Sequence, residues 1–159
     1  VTRSLPRNWI SLLRCPEAQI AIFSFLLNYP WEMLQAPLFK GMGEGAHWEQ
    51  VKVCTLAALA DALISLLSFW MAAAVAKGRL WLLKPKPTPW FAYMGSGLGI
   101  TIIGERLAIG PLERWQYSAS MPIVPGLEVG ISPLLQWLIL PPLVLWFARN
   151  QLLGLASRP

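Results

Sequence analysis

Charge is what this chain has least of. Asp, Glu, Lys and Arg make up 13% of its 159 residues, against about 25% in ordinary soluble domains. So sparse a charge argues against an ordinary water-facing globule. Cysteine is nearly absent. Cys15 and Cys54 alone make neither a disulfide framework nor a metal motif. They fall near opposite ends of the predicted helices, so no bond between them is expected. With one histidine, His47, a histidine-rich metal or haem site is not expected from this chain. No metal and no cofactor is implied. Also missing are a nucleophilic triad, a phosphate-binding glycine loop and an aspartate-rich diphosphate motif.

What is present is apolar. Hydrophobic residues make up 55% of the chain and the mean hydropathy is +0.50. Both fit a single lipid-embedded domain. The net charge of +5 raises nucleic acid as a partner, but the basic residues flank the apolar segments instead of forming a stripe. That placement suits anionic lipid head groups, so the expected partners are membrane lipids and not nucleic acid.

Four apolar segments, at about 18–39, 53–76, 89–110 and 132–148, are each near the ~17–25 residues that a spanning helix needs. The fold class read from them is all-α: a polytopic four-transmembrane-helix bundle, with a long outer loop between helices 3 and 4. Residues 8–13, beside Arg3, Arg7 and Arg14, suit a short amphipathic helix on the membrane surface, or a frayed terminus. The first span is interrupted by Asn28 and Glu32 and lacks a small-residue cleavage pattern, so no cleavable leader is expected there.

Lys and Arg set the orientation. Nine flank one side: Arg3, Arg7, Arg14, Lys77, Arg79, Lys84, Lys86, Arg149 and Arg158. Four flank the other: Lys40, Lys52, Arg106 and Arg114. The expectation is a multi-pass protein of a bacterial-type inner (plasma) membrane, with both termini cytoplasmic. The alternating prolines of 84–89 cannot continue a helix, while Pro89 suits a helix first turn. Pro30, Pro37, Pro141 and Pro142 are expected to kink their spans. Gly95, Gly97 and Gly99 alternate on the third span, and the Gly95/Gly99 pair predicts close approach of a neighbour.

Against this background, polar residues inside the spans stand out. A charge near the bilayer centre costs roughly 2.5–3.5 kcal/mol even on lenient scales. Asn28, Glu32 and Gln35 share one helix face at i, i+4 and i+7. Asp61, Ser65 and Ser68 share a face of the second span, and Thr101 and Glu105 one of the third. Gln136 lies one turn into the fourth, and Glu113 at a helix-end loop. At 1.5 Å per residue, Asp61 is about 12 Å from the outer end of its span. Glu32, Glu105 and Gln136 reach a similar depth. Independent placement would not produce this agreement. One shared site in the outer half is expected, roofed by loops 111–131 and 41–50.

The apolar stretches around Pro122 and Pro125 suggest an outer loop that dips back toward the helices. Trp115 and Tyr117 either line the site or anchor at the head-group level. Trp9, Trp81, Trp90 and Trp146 read as a cytoplasmic-side aromatic belt, whereas Trp31 precedes Glu32 in mid-membrane and is placed to wall a pocket. A structural reading stands beside the functional one. Asp61 paired with Arg106, or Glu105 and Glu32 in similar bridges, would only hold helices together. His47 reads as a solvated loop residue.

The run Asn28-Tyr29-Pro30-Trp31-Glu32 resembles the Asn-x-x-Trp-Glu element of integral-membrane terpene cyclases of fungal meroterpenoid pathways. Glu105, Gly110, Trp115-Gln116-Tyr117 and Pro125-Gly126-Leu127 together resemble small bacterial lycopene cyclases and carotenoid hydratases. What the resemblance implies is protonation of an isoprenoid alkene by a membrane carboxylic acid, with Glu32 as acid and Glu105 as its partner.

The leading expectation is acid/base chemistry on an isoprenoid or other lipid. Its catalytic candidates are Glu32, Glu105 and Asp61. Its substrate-binding candidates are Asn28, Trp31, Gln35, Trp115, Tyr117 and Gln136. An acid removed from water holds its proton, and aromatic faces stabilise a carbocation. Two alternatives stay open: a non-catalytic subunit of a larger membrane complex, and a small proton-coupled transporter. The apolar inner halves of the spans speak against a continuous polar path.

Overall fold

The computed structural model describes residues 14–42, 46–84 and 86–157. The surface helix expected over 8–13, Trp9, and the basic residues Arg3, Arg7 and Arg158 lie outside the described residues. Among the described residues, four α-helices form: α1 (Pro16–Gln35), α2 (His47–Ala76), α3 (Pro87–Ile109) and α4 (Ile131–Ala156). Short 3₁₀ turns follow α1 (Ala36–Leu38) and α2 (Trp81–Leu83). Between α3 and α4, strands β1 (Ile123–Val124) and β2 (Val129–Gly130) pair antiparallel as a small hairpin.

Helices α2 and α4 are each long and apolar enough to cross a membrane. Helices α1 and α3, of 20 and 23 residues, have the length. Their apolar runs are broken by Asn28, Glu32 and Gln35, and by Thr101, Glu105 and Arg106.

The helix ends differ from those read in the sequence, for local reasons. Helix α1 stops at Gln35, short of the expected 39. Pro37 has no N–H to continue the ladder, so the chain tightens into the turn Ala36–Leu38. Helix α2 starts at His47, ahead of the expected 53. Its polar first turn is supported by Glu49 and Lys52, 2.6 Å apart across i, i+3. Helix α4 is not short. It runs through Pro141 and Pro142 to Ala156, and buried Leu152 docks its last turns onto the core.

Helix α1 packs against α2 and α4, and α3 packs against the same two. At one end Arg14 donates to the Leu155 carbonyl at 3.5 Å, and Arg79 meets Glu17 at 2.5 Å. At the other, Ser132 donates to Gln35 at 2.7 Å. Helix α1 is therefore antiparallel to both neighbours. The first end holds an apolar core of Ile20, Phe69, Ala72, Tyr93, Val144 and Ala148. Trp81 sits within it, 5.8 Å from the Phe69 ring and 6.0 Å from Tyr93. It is only 6% exposed, so it is a core residue and not the belt residue expected. Trp146 does face outward. The second end is polar inside: Ser24, Asn28, Gln35, Ser65, Thr101, Ser132 and Gln136 are all buried.

The glycines of α3 also correct the sequence reading. A Cβ built at Gly95 or Gly99 would meet nothing within 4 Å, whereas one at Gly97 would overlap the Trp137 ring of α4. Two residues along a helix is about 200° of rotation, so the expected face was the wrong one. Gly97→Ala is expected to destabilise the protein by about 1–3 kcal/mol through overpacking against Trp137. Gly95→Ala is expected to be neutral or to gain up to ~1 kcal/mol in helix propensity. Thermal unfolding in mild detergent checks this, and equal midpoints for both variants would refute the assignment of the contact to Gly97.

Candidate functional site

The site begins with one face of α1. Ser24, Asn28 and Glu32 recur every four residues, and Gln35 completes the row, so all four project toward the same neighbours. Asn28 Nδ2 donates to the Ser24 carbonyl at 2.8 Å and to Ser24 Oγ at 3.0 Å. Ser24 Oγ and Ser65 Oγ of α2 are 2.8 Å apart. This anchors the Asn28 amide and turns its carbonyl oxygen toward α4.

Gln136 of α4 is the hub. Its Nε2 donates to Asn28 Oδ1 at 2.7 Å, Asp61 Oδ2 at 2.8 Å and Glu32 Oε1 at 2.9 Å. A primary amide has two hydrogens, so two hydrogens face three acceptors. Its own Oε1 accepts from Gln35 Nε2 at 3.2 Å, and Gln35 Nε2 also reaches Glu32 Oε1 at 2.8 Å. Ser132 Oγ holds the Gln35 carbonyl. The Glu32 and Asp61 carboxyls thus converge on the same amide nitrogen. Three helices thus meet in one connected network with no side chain left over.

No cation enters it. Among the described residues, the ion pairs are Glu49 with Lys52 and Glu17 with Arg79. The bridge from Asp61 to Arg106 considered from the sequence does not form, and Arg106 is exposed. Carboxylates drawn away from water are ordinarily paired or neutralised, and the half-buried Glu32 and Asp61 meet an amide instead of a cation.

Glu105 of α3 is held by a separate set of partners. Its Oε2 accepts from the Tyr117 hydroxyl at 2.6 Å and from Trp115 Nε1 at 3.4 Å. Tyr117 also accepts the Gly130 N–H at 2.9 Å. Burial, then the hydrogen bond to Glu105, push the Tyr117 phenol above its ordinary range, so it stays a donor. Trp115 and Tyr117 are therefore clamps on a carboxylate, which neither the belt reading nor the substrate-wall reading foresaw.

The connection between α3 and α4 folds back over this end. Lys40 N donates to the Gln116 carbonyl and Ser118 N to the Leu38 carbonyl, both at 2.9 Å. Phe39 and Tyr117 form an antiparallel bridge with rings 5.5 Å apart. Met121 and Val129 are buried under the hairpin. Gly126, at φ 83°, and Glu128, at φ 53°, are the left-handed residues of the hairpin loop, a conformation that glycine adopts at no steric cost.

Asn28, Glu32, Gln35, Asp61 and Gln136 thus come together, and Glu105, Trp115 and Tyr117 form an adjoining group. Trp31 joins neither: it is half-buried, and its indole N–H has no acceptor among the described residues. The Thr101 hydroxyl, one turn before Glu105, is buried in the same condition. Glu113 is exposed, and His47 opens α2 in the open. Ser24 and Ser132 are members the sequence reading missed. Each lies four residues before a residue already singled out, which is the signal that would have found them. At the opposite end, where α2 ends and α3 begins, a cleft of about 430 Å³ opens beside Trp81, Lys84 and Lys86.

These features define a class: among the described residues, four helices with half-buried carboxyls gathered on buried amides at one end, with no cation, and an apolar core at the other. Comparison with protein-family models, curated proteins and solved structures finds no match for it.

Proposed function

We propose that this chain is a four-span membrane protein whose outer-half carboxyls carry out acid/base chemistry on an isoprenoid or another lipid. The membrane placement is supported by an inverted surface. Helix α2 turns Leu56, Leu59 and Leu63 outward, α4 turns Leu138, Ile139 and Trp146 outward, and α1 and α3 expose Leu26 and Phe91. The serines and amides face inward. Soluble domains rarely expose so continuous an apolar surface. Lipid satisfies it, and the row of polar residues on α1 is then shielded by the other helices. Both termini lie in the cytoplasm on this reading. Reporter fusions at Gly78 and at the C-terminus should read cytoplasmic, and one at Gly45, outside the described residues, external. An external C-terminus would refute the four-span topology.

The observation that carries the chemistry is the meeting of Glu32 and Asp61 on one amide nitrogen with no cation present. Two carboxylates drawn onto one amide nitrogen with no cation beside them repel each other, and a single proton held between them removes that cost. That proton is the one available for transfer. Delivered to an alkene carbon, it leaves a carboxylate on the protein and a carbocation on the substrate. Glu105, poised by Tyr117 and Trp115, is placed to take a proton back or to steer water onto the cation. The resemblance of 28–32 to membrane terpene cyclases points to the same roles. The test is product formation by the unmutated chain in an isoprenoid-producing host, with mass spectrometry of lipids and pigments that co-purify. A new cyclised or hydrated product supports the reading, and none over a broad substrate panel overturns it.

The accessory-subunit reading has one observation in its favour. Gly95 and Gly99 leave an open, small-residue strip on α3, which suits a helix of another subunit.

A further inference from the structure

We infer that the reaction is a hydration, and that Thr101 and Glu105 of α3 hold the water molecule that is added to the alkene. The inference rests on the acid/base reading above and narrows it to one class of product, an alcohol.

Thr101 belongs to the inward row of α3. Tyr93, Gly97 and Thr101 recur every four residues and are buried, and Glu105 continues the row. Thr101 is 8% exposed, and its hydroxyl has no hydrogen-bond partner among the described residues. A buried hydroxyl left without a partner is costly, and a water molecule is the smallest group that satisfies it. Glu105 offers the other half of such a site. Trp115 and Tyr117 both donate to its Oε2, and Oε1 accepts from no group among the described residues. Side chains four residues apart on a helix stand about 5–6 Å apart at Cβ. A long side chain leans back over the preceding turn, here the turn of Thr101. One water making two hydrogen bonds of about 2.8 Å spans that gap.

The level suits the proton donor. Gly97 lies against the Trp137 ring, and Thr101 is one turn, about 6 Å, further toward the carboxyl end. Gln136, on which Glu32 and Asp61 meet, immediately precedes Trp137. Along the helix axes, Thr101 and Gln136 are therefore within about one turn of each other. The surroundings also favour capture by water over ring closure. A cyclase keeps water out and covers its cation with aromatic faces. Here Trp115 and Tyr117 turn their N–H and O–H to Glu105, and Trp137 is laid against Gly97. The groups around the carboxyl pair are amides and hydroxyls.

The steps balance with water as the only co-reactant. The Glu32/Asp61 pair gives its proton to one alkene carbon. The π electrons form the new C–H bond and leave a cation on the neighbouring carbon. Thr101 donates to one lone pair of the held water, and Glu105 Oε1 accepts one of its hydrogens. The second lone pair forms the C–O bond, and Glu105 keeps the proton that the oxygen loses. Return of that proton to the carboxyl pair resets both groups.

The experiment is expression of the whole chain in the isoprenoid-producing host, in water enriched in heavy oxygen, with mass spectrometry of the products. The unmutated chain is expected to give an alcohol that carries the label. Thr101→Val keeps the shape and removes the hydroxyl. It should lower the alcohol about tenfold, for one hydrogen bond lost to the reacting water, and turn the remaining product toward alkene isomers and rings. Thr101→Ser keeps the hydroxyl and should hold the alcohol within about threefold of the unmutated chain. A merely structural role would lower all products together without changing their ratio. A second measurement is free of turnover. Infrared spectra of the purified chain, in ordinary and in heavy-oxygen water, should show the O–H band of an enclosed water that Thr101→Val loses and Thr101→Ser keeps. An unlabelled hydrocarbon product overturns the hydration and leaves the acid/base reading standing, whereas no product from the unmutated chain overturns both. Unchanged alcohol with Thr101→Val, or a water band that survives it, assigns the water to other residues and overturns the inference.

Discussion

Glu32→Gln is expected to lower product formation by a factor of ~10² or more, the usual contribution of a positioned acid. The substitution is chosen because it changes little else. Glu32 Oε1 accepts from Gln35 at 2.8 Å and from Gln136 at 2.9 Å, and the carbonyl oxygen of a glutamine can accept both. An amide is cheaper to bury than an ionised acid, so insertion and folding should survive. What disappears is the proton shared with Asp61. Asp61→Asn should act alike, because either change leaves one carboxyl where two met. Glu113→Gln, on an exposed loop residue, should leave product formation near that of the unmutated chain. All three are read by product formation in the isoprenoid-producing host, at matched membrane levels of protein. Undiminished product with Glu32→Gln and Asp61→Asn would move the protein to the accessory-subunit reading.

Gln136→Leu should be the most destabilising single change in the buried cluster. Leucine conserves bulk but removes both hydrogens that Asn28, Glu32 and Asp61 accept, and the oxygen that Gln35 Nε2 meets at 3.2 Å. A buried acceptor left without a donor costs about 1–3 kcal/mol, and more when it is charged. With three acceptors affected, and one proton between the carboxyls to relieve part of the loss, the expected cost is about 3–5 kcal/mol. Leu135→Ala, next to it on the outward face, should stay within about 0.5 kcal/mol, as surface changes do. Unfolding midpoints in mild detergent give the comparison. A Gln136→Leu midpoint equal to that of the unmutated protein would mean that the network is not held as the geometry describes.

How the site was legible in the sequence follows from helical periodicity. Asn28, Glu32 and Gln35 fall on one face because 3.6 residues make a turn, and that holds whatever the neighbours are. The same count brought Asp61 and Gln136 to the depth of Glu32, and hydrogen bonds join them. Serines 24 and 132 escaped notice because a serine in an apolar helix carries little signal of its own, although both continue rows of four. The helix ends were misread where polar residues extend a helix beyond its apolar run, as His47 and Glu49 do for α2, and Asn150 and Gln151 for α4. Apolar content marks what lipid or core demands, and the backbone ladder continues past it wherever nothing breaks it.

Other facts had no local signature. Gly95, Gly97 and Gly99 are chemically identical, and only the position of Trp137 on α4 makes Gly97 the tight one. Trp81 sits in a basic, proline-rich connection that reads as interfacial, yet the crossing of α2 and α3 folds it between Phe69 and Tyr93. Trp115 and Tyr117 are ten and twelve residues from Glu105, and they reach its carboxylate because the connection turns back and bridges to Phe39. By itself, the sequence determined that the chain is helical and apolar, and which polar residues share a face, since those depend on composition and on the pitch of a single helix. The tertiary structure alone decided which faces meet, that the carboxyls meet without a cation, and which glycine and which tryptophan are enclosed. Those depend on the rotation of each helix about its own axis, which is set by packing against two neighbours at once.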